Sequence, residues 1–411
     1  MFIINDSGQT KKSKKYAIFY LCYRNDYYVM GLLCSLKAHM KLLNTFKEGN
    51  EIDLVVMCDE YIYNYHDYFK EYCDRVIVIN MDLLPEHHKL YKLAKYSKKW
   101  MDYIINKWHC LYFEEYQKIL FTDIDILPCA PSVYDIFTYY KEPYIFSCRN
   151  FKKCQESKYY SPDLPKTKYA SYEDYILQGT FFIDAGFIIL TPNKQLHDEY
   201  FKFVNKINFT NKNTVSQGSG IDETSLYYFL SHIKKVDYNC TKKEDTPIIP
   251  WDRPITCASE QNVSREVPRG KLFNYLSSIK PFIKPIPLMW EEEYIWKILE
   301  KQIITGNKFL KALSIRNALY CYLYLNKKDD SLKIVKKEKK HDIYNFINKL
   351  KQKMSISDNI FSQNAYSAIQ ESYDILFSYT DELNKLNGDE DIIAKCCGLI
   401  YKEKYRLLMN P

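Results

Sequence analysis

Short apolar runs alternate with amphipathic stretches over residues 16–287, the pattern of an α/β domain built around a mostly parallel sheet. The run Tyr-Ala-Ile-Phe-Tyr-Leu-Cys at residues 16–22 predicts a buried first strand. A loop through Arg24, Asn25 and Asp26 and a helix over residues 28–39 follow it. Residues 53–58 and 75–80 read as the second and third strands. Residues 96–116 carry helical spacing, with Met101, Ile104, Ile105 and Trp108 on one face, and lead into a fourth strand at residues 118–121. That strand ends at Thr122, Asp123, Ile124 and Asp125. Ligands of open α/β sheets gather outside the carboxyl ends of strands, so the position of this acidic pair matters as much as its composition. Residues 150–171, rich in Lys, Tyr, Ser and Pro, read as a long loop over the site. Residues 181–190 read as a strand interrupted at Ala185 and Gly186, where another group can approach the backbone closely.

After Trp290 the character changes. Residues 291–411 are rich in Lys, Glu, Leu, Ile and Tyr at helical spacing, without comparable β-like runs. The expected organisation is a flexible leader over residues 1–15, a Rossmann-like domain with helices flanking its sheet over residues 16–290, and an α-helical C-terminal region over residues 291–411.

Two carboxylates at i and i+2 on a strand end can reach one divalent cation and, through it, a diphosphate. The pattern alone is weak: Asp389, Glu390 and Asp391 repeat it at the start of a helical run, where acids simply suit a helix N-terminus. Asp123 and Asp125 differ in context, because they follow a strand and precede Ile126, Leu127 and Pro128.

Composition narrows the classes. The 411 residues allow a catalytic domain plus an appendage. The 58 Lys and Arg against 51 Asp and Glu leave a formal +7, too small to mark a dedicated nucleic-acid binder. The 39 tyrosines and 11 glycines reflect coding bias rather than chemistry. Thirteen cysteines without C-x-x-C pairs point to free thiols in a reducing compartment. No apolar stretch reaches the roughly 18–20 residues of a membrane helix. A cytoplasmic protein without a transmembrane segment is expected, and the sequons at Asn208, Asn239 and Asn262 are then chance matches. There is no Gly-rich phosphate loop and no G-x-S-x-G elbow. His87 and His88 lack zinc-site partners and read as a surface pair, and the basic run at residues 333–340 reads as a solvated helix face.

The surrounding motifs are more specific. Residues 23–37 (YRNDYYVMGLLCSLK) resemble the opening loop and helix of glycosyltransferase family 8, the glycogenin-like enzymes. Lys107-Trp-His-Cys110, sixteen residues before Asp123, resembles the family's K-L-H-C segment. Residues 182–186 (FIDAG) resemble its F-N-S/A-G motif, residues 220–223 (GIDE) its G-D-Q motif, and residues 271–282 its K-V-V-H-F-x-G-x-x-K-P-W block. The similarity runs in order over residues 16–290.

It implies a GT-A fold and retaining transfer from a UDP-sugar, with Mn²⁺ or Mg²⁺ held by Asp123 and Asp125, to a glycan or protein acceptor. A homodimer is the self-association left open. Cys22, Tyr23, Arg24, Asn25 and Tyr28 would surround the uridine, Tyr28 either stacking on the base or serving as a core tyrosine. Lys107 would contact the donor together with Asp123, Ile124 and Asp125. Lys280 would grip the diphosphate, with Ser277 beside it. Asp184 would bond sugar hydroxyls together with the backbone of Ala185 and Gly186. Asp222 and Glu223 would lie by the anomeric carbon, Glu223 acting either as a nucleophile or as an acceptor-binding acid.

Three departures stand out. Asn274 occupies the position of the family's histidine ligand, Ser277 that of a glycine, and residues 240–270 contain no tyrosine for self-priming. A catalytically silent relative and a nucleotide-sugar hydrolase are the alternative readings. An amide oxygen is a weaker donor than imidazole. Asn274→His is therefore expected to tighten Mn²⁺ binding, and an unchanged titration midpoint would count against the alignment.

Overall fold

The computed structural model describes residues 3–6, 14–24, 26–81, 103–148, 172, 183–207, 221–241, 272–274, 293–311, 313–314 and 317. The chain forms two compact units: Met1–Asn25 with Ser35–Leu276, and Asp26–Cys34 with Ser277–Pro411.

The first unit is built on an eight-stranded sheet in the order β1-β4-β3-β2-β5-β8-β7-β9. These strands are β1 (Ile3–Asp6), β2 (Tyr16–Cys22), β3 (Ile52–Cys58), β4 (Arg75–Ile79), β5 (Lys118–Thr122), β7 (Tyr144–Cys148), β8 (Ile183–Leu190) and β9 (Tyr238–Cys240). Strands β4, β3, β2 and β5 run parallel, and β7 and β9 point the same way; β1 and β8 oppose them. The result is a mostly parallel, mixed α/β sheet flanked by helices, as expected. Every residue of β2 and of β3 is buried, which is what a parallel strand covered on both faces requires. A separate two-stranded ladder pairs β6 (Ile126–Pro128) with β10 (Leu272–Asn274).

The leader does not keep its expected form. Ile3–Asp6 is an edge strand antiparallel to β4, held by the Arg75 guanidinium. That group donates to both oxygens of Asp6, its Nε to Oδ1 at 2.8 Å, and to Glu115 at 2.7 Å. With 2% of the Asp6 side chain exposed, this pair replaces the water both charges lose. The first predicted helix also begins later: residues Asp26–Tyr28 form a 3-10 turn, and the α-helix runs Val29–Leu43. Residues 103–116 form a 3-10 helix, Ile104–Tyr112, within what was expected as a longer amphipathic helix.

In the second unit, the helix Glu293–Ile304 buries Trp296, and the Asn317 amide donates to the Tyr27 carbonyl at 3.0 Å. The remainder of the expected helical region, with Asp389 and Asp391, lies outside the described residues, as do residues 150–171 and the His87–His88 pair. Among the described residues no helix is long and apolar enough to cross a membrane.

Behind the sheet, His39 is fully buried with its Nδ1 2.9 Å from the Tyr134 hydroxyl. Burial pushes its pKa down to about 3. The unfolded chain, titrating near 6.5, then binds a proton that the folded chain refuses. Stability therefore falls as pH drops from about 6.5 towards 3. His39→Leu is expected to flatten part of this slope in urea midpoints measured between pH 7 and pH 4. Buried His109 and His197, also shifted down, supply the rest.

Candidate active site

The parallel strands β2, β3 and β5 end at the same edge of the sheet, with Cys22 opposite Cys58 and Phe19 opposite Phe121. The chain leaving β5 turns at once: the Asp123 carbonyl accepts from Ile126 N–H at 3.1 Å, and the next residues enter β6. Ile124 is buried and its carbonyl accepts from the Ser35 hydroxyl at 2.9 Å. Asp123 and Asp125, on either side of it, remain half-exposed. An apolar anchor between two polar positions holds this turn on the sheet and leaves both carboxylate residues partly open to solvent.

Strand β8 closes one side. Its register against β7 slips between Phe146 and Ser147, so that Ser147 pairs with Asp184 after Phe146 has paired with Ile188. The extra residues form a bulge at Ala185, Gly186 and Phe187, a common device for aiming backbone groups at a site. The Gly186 carbonyl accepts from Asp123 N–H at 2.7 Å. On the other side, β10 brings Asn274 into register with Ile126, next to Asp125.

Lys107 connects these parts. Its ammonium lies 2.8 Å from Asp222 Oδ2, 3.2 Å from Asp123 Oδ1 and 3.5 Å from the Ala185 carbonyl, with 2% of the side chain exposed. Burial alone would depress this ammonium. The Asp123, Asp222 and Glu223 carboxylates outweigh that effect and hold it above its ordinary value. The same ammonium lies over the rings of Trp108 and Phe121, 5.6 and 5.1 Å from their centroids. Asp222 and Glu223 open the helix Ile221–Tyr228, all of whose residues are buried. The Trp108 indole donates to the Asp222 carbonyl at 3.0 Å, and the Thr224 and Ser225 hydroxyls bond those of Tyr172 and Tyr200, each at 2.8 Å.

The 3-10 helix carrying Lys107 is held from behind. His109 Nδ1 lies 2.9 Å from His197 Nε2, and His197 Nδ1 lies 2.8 Å from Asp198. Burial lowers both rings, so both are neutral at pH 7. A proton on His197 Nδ1 facing the carboxylate then makes His109 the donor to His197.

At the start of the same helix, Tyr103 meets the loop after β2. The Arg24 guanidinium lies over the Tyr103 ring at 3.9 Å and also donates to its hydroxyl, and the Tyr23 ring is 6.0 Å away. Arg24 has φ 48, a left-handed conformation rare outside glycine. Asp59, just past β3, stabilises it: Oδ2 accepts from Arg24 N–H at 2.9 Å while Oδ1 caps the next helix through Ile62 N–H at 2.9 Å. Burial raises the Asp59 carboxyl above its ordinary value, and these two N–H groups offset only part of that rise.

The fold thus gathers Lys107, Asp123, Ala185, Gly186, Asp222 and Glu223 around one place, with Asp125 and the backbone of Asn274 adjoining. Cys22, Tyr23 and Arg24 lie at the end of β2 in the same unit. Tyr28, half-buried, belongs to the second unit, and Asn25, Ser277 and Lys280 lie outside the described residues, as do the side chains of Asp184 and Asn274. Sequence reasoning missed Asp59 and Tyr103. The first was recoverable as an acid at a strand's carboxyl end, three residues before Ile62; the second carries no local signal.

Asp123 and Asp125 offer hard oxygen donors, and among the described residues the neighbouring carboxylates outnumber the Lys107 ammonium. This suits Mg²⁺ or Mn²⁺ better than a thiophilic ion. Among the described residues no group of three or more His, Cys, Asp or Glu side chains could hold a metal ion. A cation held by the pair takes its remaining ligands from elsewhere.

No protein-family model matches the chain, and no curated protein does. Among solved structures, the chain is similar to the glycosyltransferase GlyE of Streptococcus pneumoniae TIGR4 at 12% identity and a TM-score of 0.41, covering 73% of this chain and 64% of that one. It is similar to the galactosyltransferase LgtC in complex with donor and acceptor sugar analogs at 13% identity and a TM-score of 0.40, over 69% and 94%. The bifunctional WbbM is matched at 10% identity and a TM-score of 0.39, over 72% and 50%. The chain thus spans less than two thirds of the length of GlyE. Likeness at these scores leaves the reading to rest on the sheet and the site themselves.

Asp59→Ala leaves one buried and one part-buried N–H group without their acceptor. A loss of about 2–3 kcal/mol in urea unfolding is expected, with faster hydrogen exchange at Arg24. Asp59→Asn, which keeps one carbonyl oxygen, should fall between the two.

Proposed function

We propose that the chain is a retaining, metal-dependent glycosyltransferase of the GT-A type. It moves a hexose from a UDP-sugar to a glycan or protein acceptor in the cytosol. The observation that carries this reading is the single buried ammonium of Lys107, which joins residues from four of the sequence motifs at the carboxyl edge of a parallel sheet.

In this reading the loop Cys22–Arg24 receives the uridine, with Asn25 and Tyr28 taking part as the resemblance implies. Asp123 and Asp125 would hold Mn²⁺ or Mg²⁺, which would supply positive charge opposite the departing diphosphate. Lys280, with Ser277 beside it, would take the same diphosphate, as the resemblance implies. The bulge carbonyls at Ala185 and Gly186, with Asp184, orient the sugar hydroxyls. The C1–O bond to the β-phosphate breaks as C1 bonds the acceptor oxygen, directly on the same face or by way of Glu223. The acceptor's proton passes to the leaving phosphate in the first route and to a carboxylate in the second. Asp222, paired with Lys107 at 2.8 Å, is the anchor of this group rather than its reacting member.

Asn274 in place of a histidine favours a second reading, a silent nucleotide-sugar binder. Incubation with Mn²⁺ or Mg²⁺ and UDP-glucose, UDP-galactose or UDP-N-acetylglucosamine separates the two. Release of UDP from at least one donor is expected, reduced about a hundredfold or more in Asp125→Asn. UDP binding without release from any donor supports the silent binder instead.

A further inference from the structure

The Lys107 ammonium has three protons, and three acceptors surround it: Asp222 Oδ2 at 2.8 Å, Asp123 Oδ1 at 3.2 Å and the Ala185 carbonyl at 3.5 Å. The ammonium also lies over the rings of Trp108 and Phe121. The two carboxylates it bridges are unlike in one respect that decides what happens when another cation arrives. The Asp222 side chain is 5% exposed, whereas that of Asp123 is 38% exposed. A hydrated divalent ion coming from solvent can therefore reach Asp123, and Asp222 stays with the lysine.

We propose that Lys107 is a resident counter-ion that competes with the divalent cation for Asp123, and that Asp222 sets the cation affinity by holding the ammonium back. This rests on the reading of Asp123 and Asp125 as cation ligands. Without metal, the ammonium keeps Asp123, Asp222 and Glu223 from repelling one another. When a dication binds Asp123, two positive centres share one carboxylate, and their repulsion opposes binding unless the ammonium turns towards Asp222. At separations of a few ångströms this repulsion amounts to kilocalories even with strong screening. The pairing thus trades metal affinity for a folded site whose carboxylates repel one another less when no metal is bound.

The test is a Mn²⁺ titration of the full chain followed by the EPR signal of free Mn²⁺, with and without UDP, so that no turnover is needed. Lys107→Met is expected to bind Mn²⁺ about tenfold more tightly, or better, and Lys107→Arg to stay within about threefold of the parent. Asp222→Asn, which removes the buried carboxylate that draws the ammonium away from Asp123, should weaken binding. In the Lys107→Met background most of that weakening should vanish, because the lysine transmits it. Equal or weaker binding by folded Lys107→Met overturns the proposal, as does an Asp222→Asn effect that persists undiminished without the lysine. If Lys107→Met does not fold, Asp222→Asn decides alone, and unchanged or tighter binding overturns it. A parent chain that binds no Mn²⁺ under either condition removes the metal reading itself. A parent that binds while the variants bind alike removes only the role given to Lys107.

Discussion

One positive charge held out of water organises the candidate site. An ammonium removed from solvent costs several kcal/mol unless partners replace the water, and Lys107 persists because Asp222, Asp123 and a bulge carbonyl do so together. Each partner belongs to a different element, so satisfying the charge fixes the 3-10 helix, the turn after β5, the bulge of β8 and the buried helix Ile221–Tyr228 relative to one another. The rings of Trp108 and Phe121 beneath the ammonium add a cation–π attraction, but rings alone would tolerate sliding. The neutral His109–His197 pair supports the same 3-10 helix from behind, and Tyr103 extends it to the loop after β2. Both halves of the site are thereby referred to one short helix.

What could be read from the sequence follows from how locally each feature is encoded. Strands β2 to β5 are legible because a parallel strand buried on both faces is a continuous apolar run. Ile3–Asp6 escaped notice because its hold on the sheet comes from Arg75, 69 residues away. The three-residue strands β6, β9 and β10 are too short to carry a period, and they exist through their partners. The stretch ending at Tyr112 has helical spacing, yet spacing alone does not distinguish a 3-10 helix from an α-helix over so few turns. At the site, Lys107, Asp123, Ala185 and Asp222 were marked by ordered motifs. Asp59 and Tyr103 gain their roles only by meeting Arg24 across 35 and 79 residues, which no local pattern announces.

The loop after β2 illustrates how strain is accommodated. Arg24 adopts a left-handed backbone that glycine would take more easily, and the structure retains the side chain there because the guanidinium has a ring to lie on. Asp59 supplies the compensating hydrogen bond. Conformation and side-chain chemistry are thus coupled at the point where the strand edge opens.

The place of β8 in the sheet has a consequence for how the protein comes into being. It lies between β5 and β7 although it follows both in the chain, so β5 leaves the ribosome with one edge uncovered. Its acidic turn also lacks the Gly186 carbonyl that later meets the Asp123 amide. A nascent chain can pair β2, β3, β4 and β5 early, yet the carboxylates of the turn after β5 gain their setting only once β8 has been inserted. The part of the molecule with the most chemistry is thereby among the last to be shaped, and a translation product that stops short carries much of the sheet without a working centre.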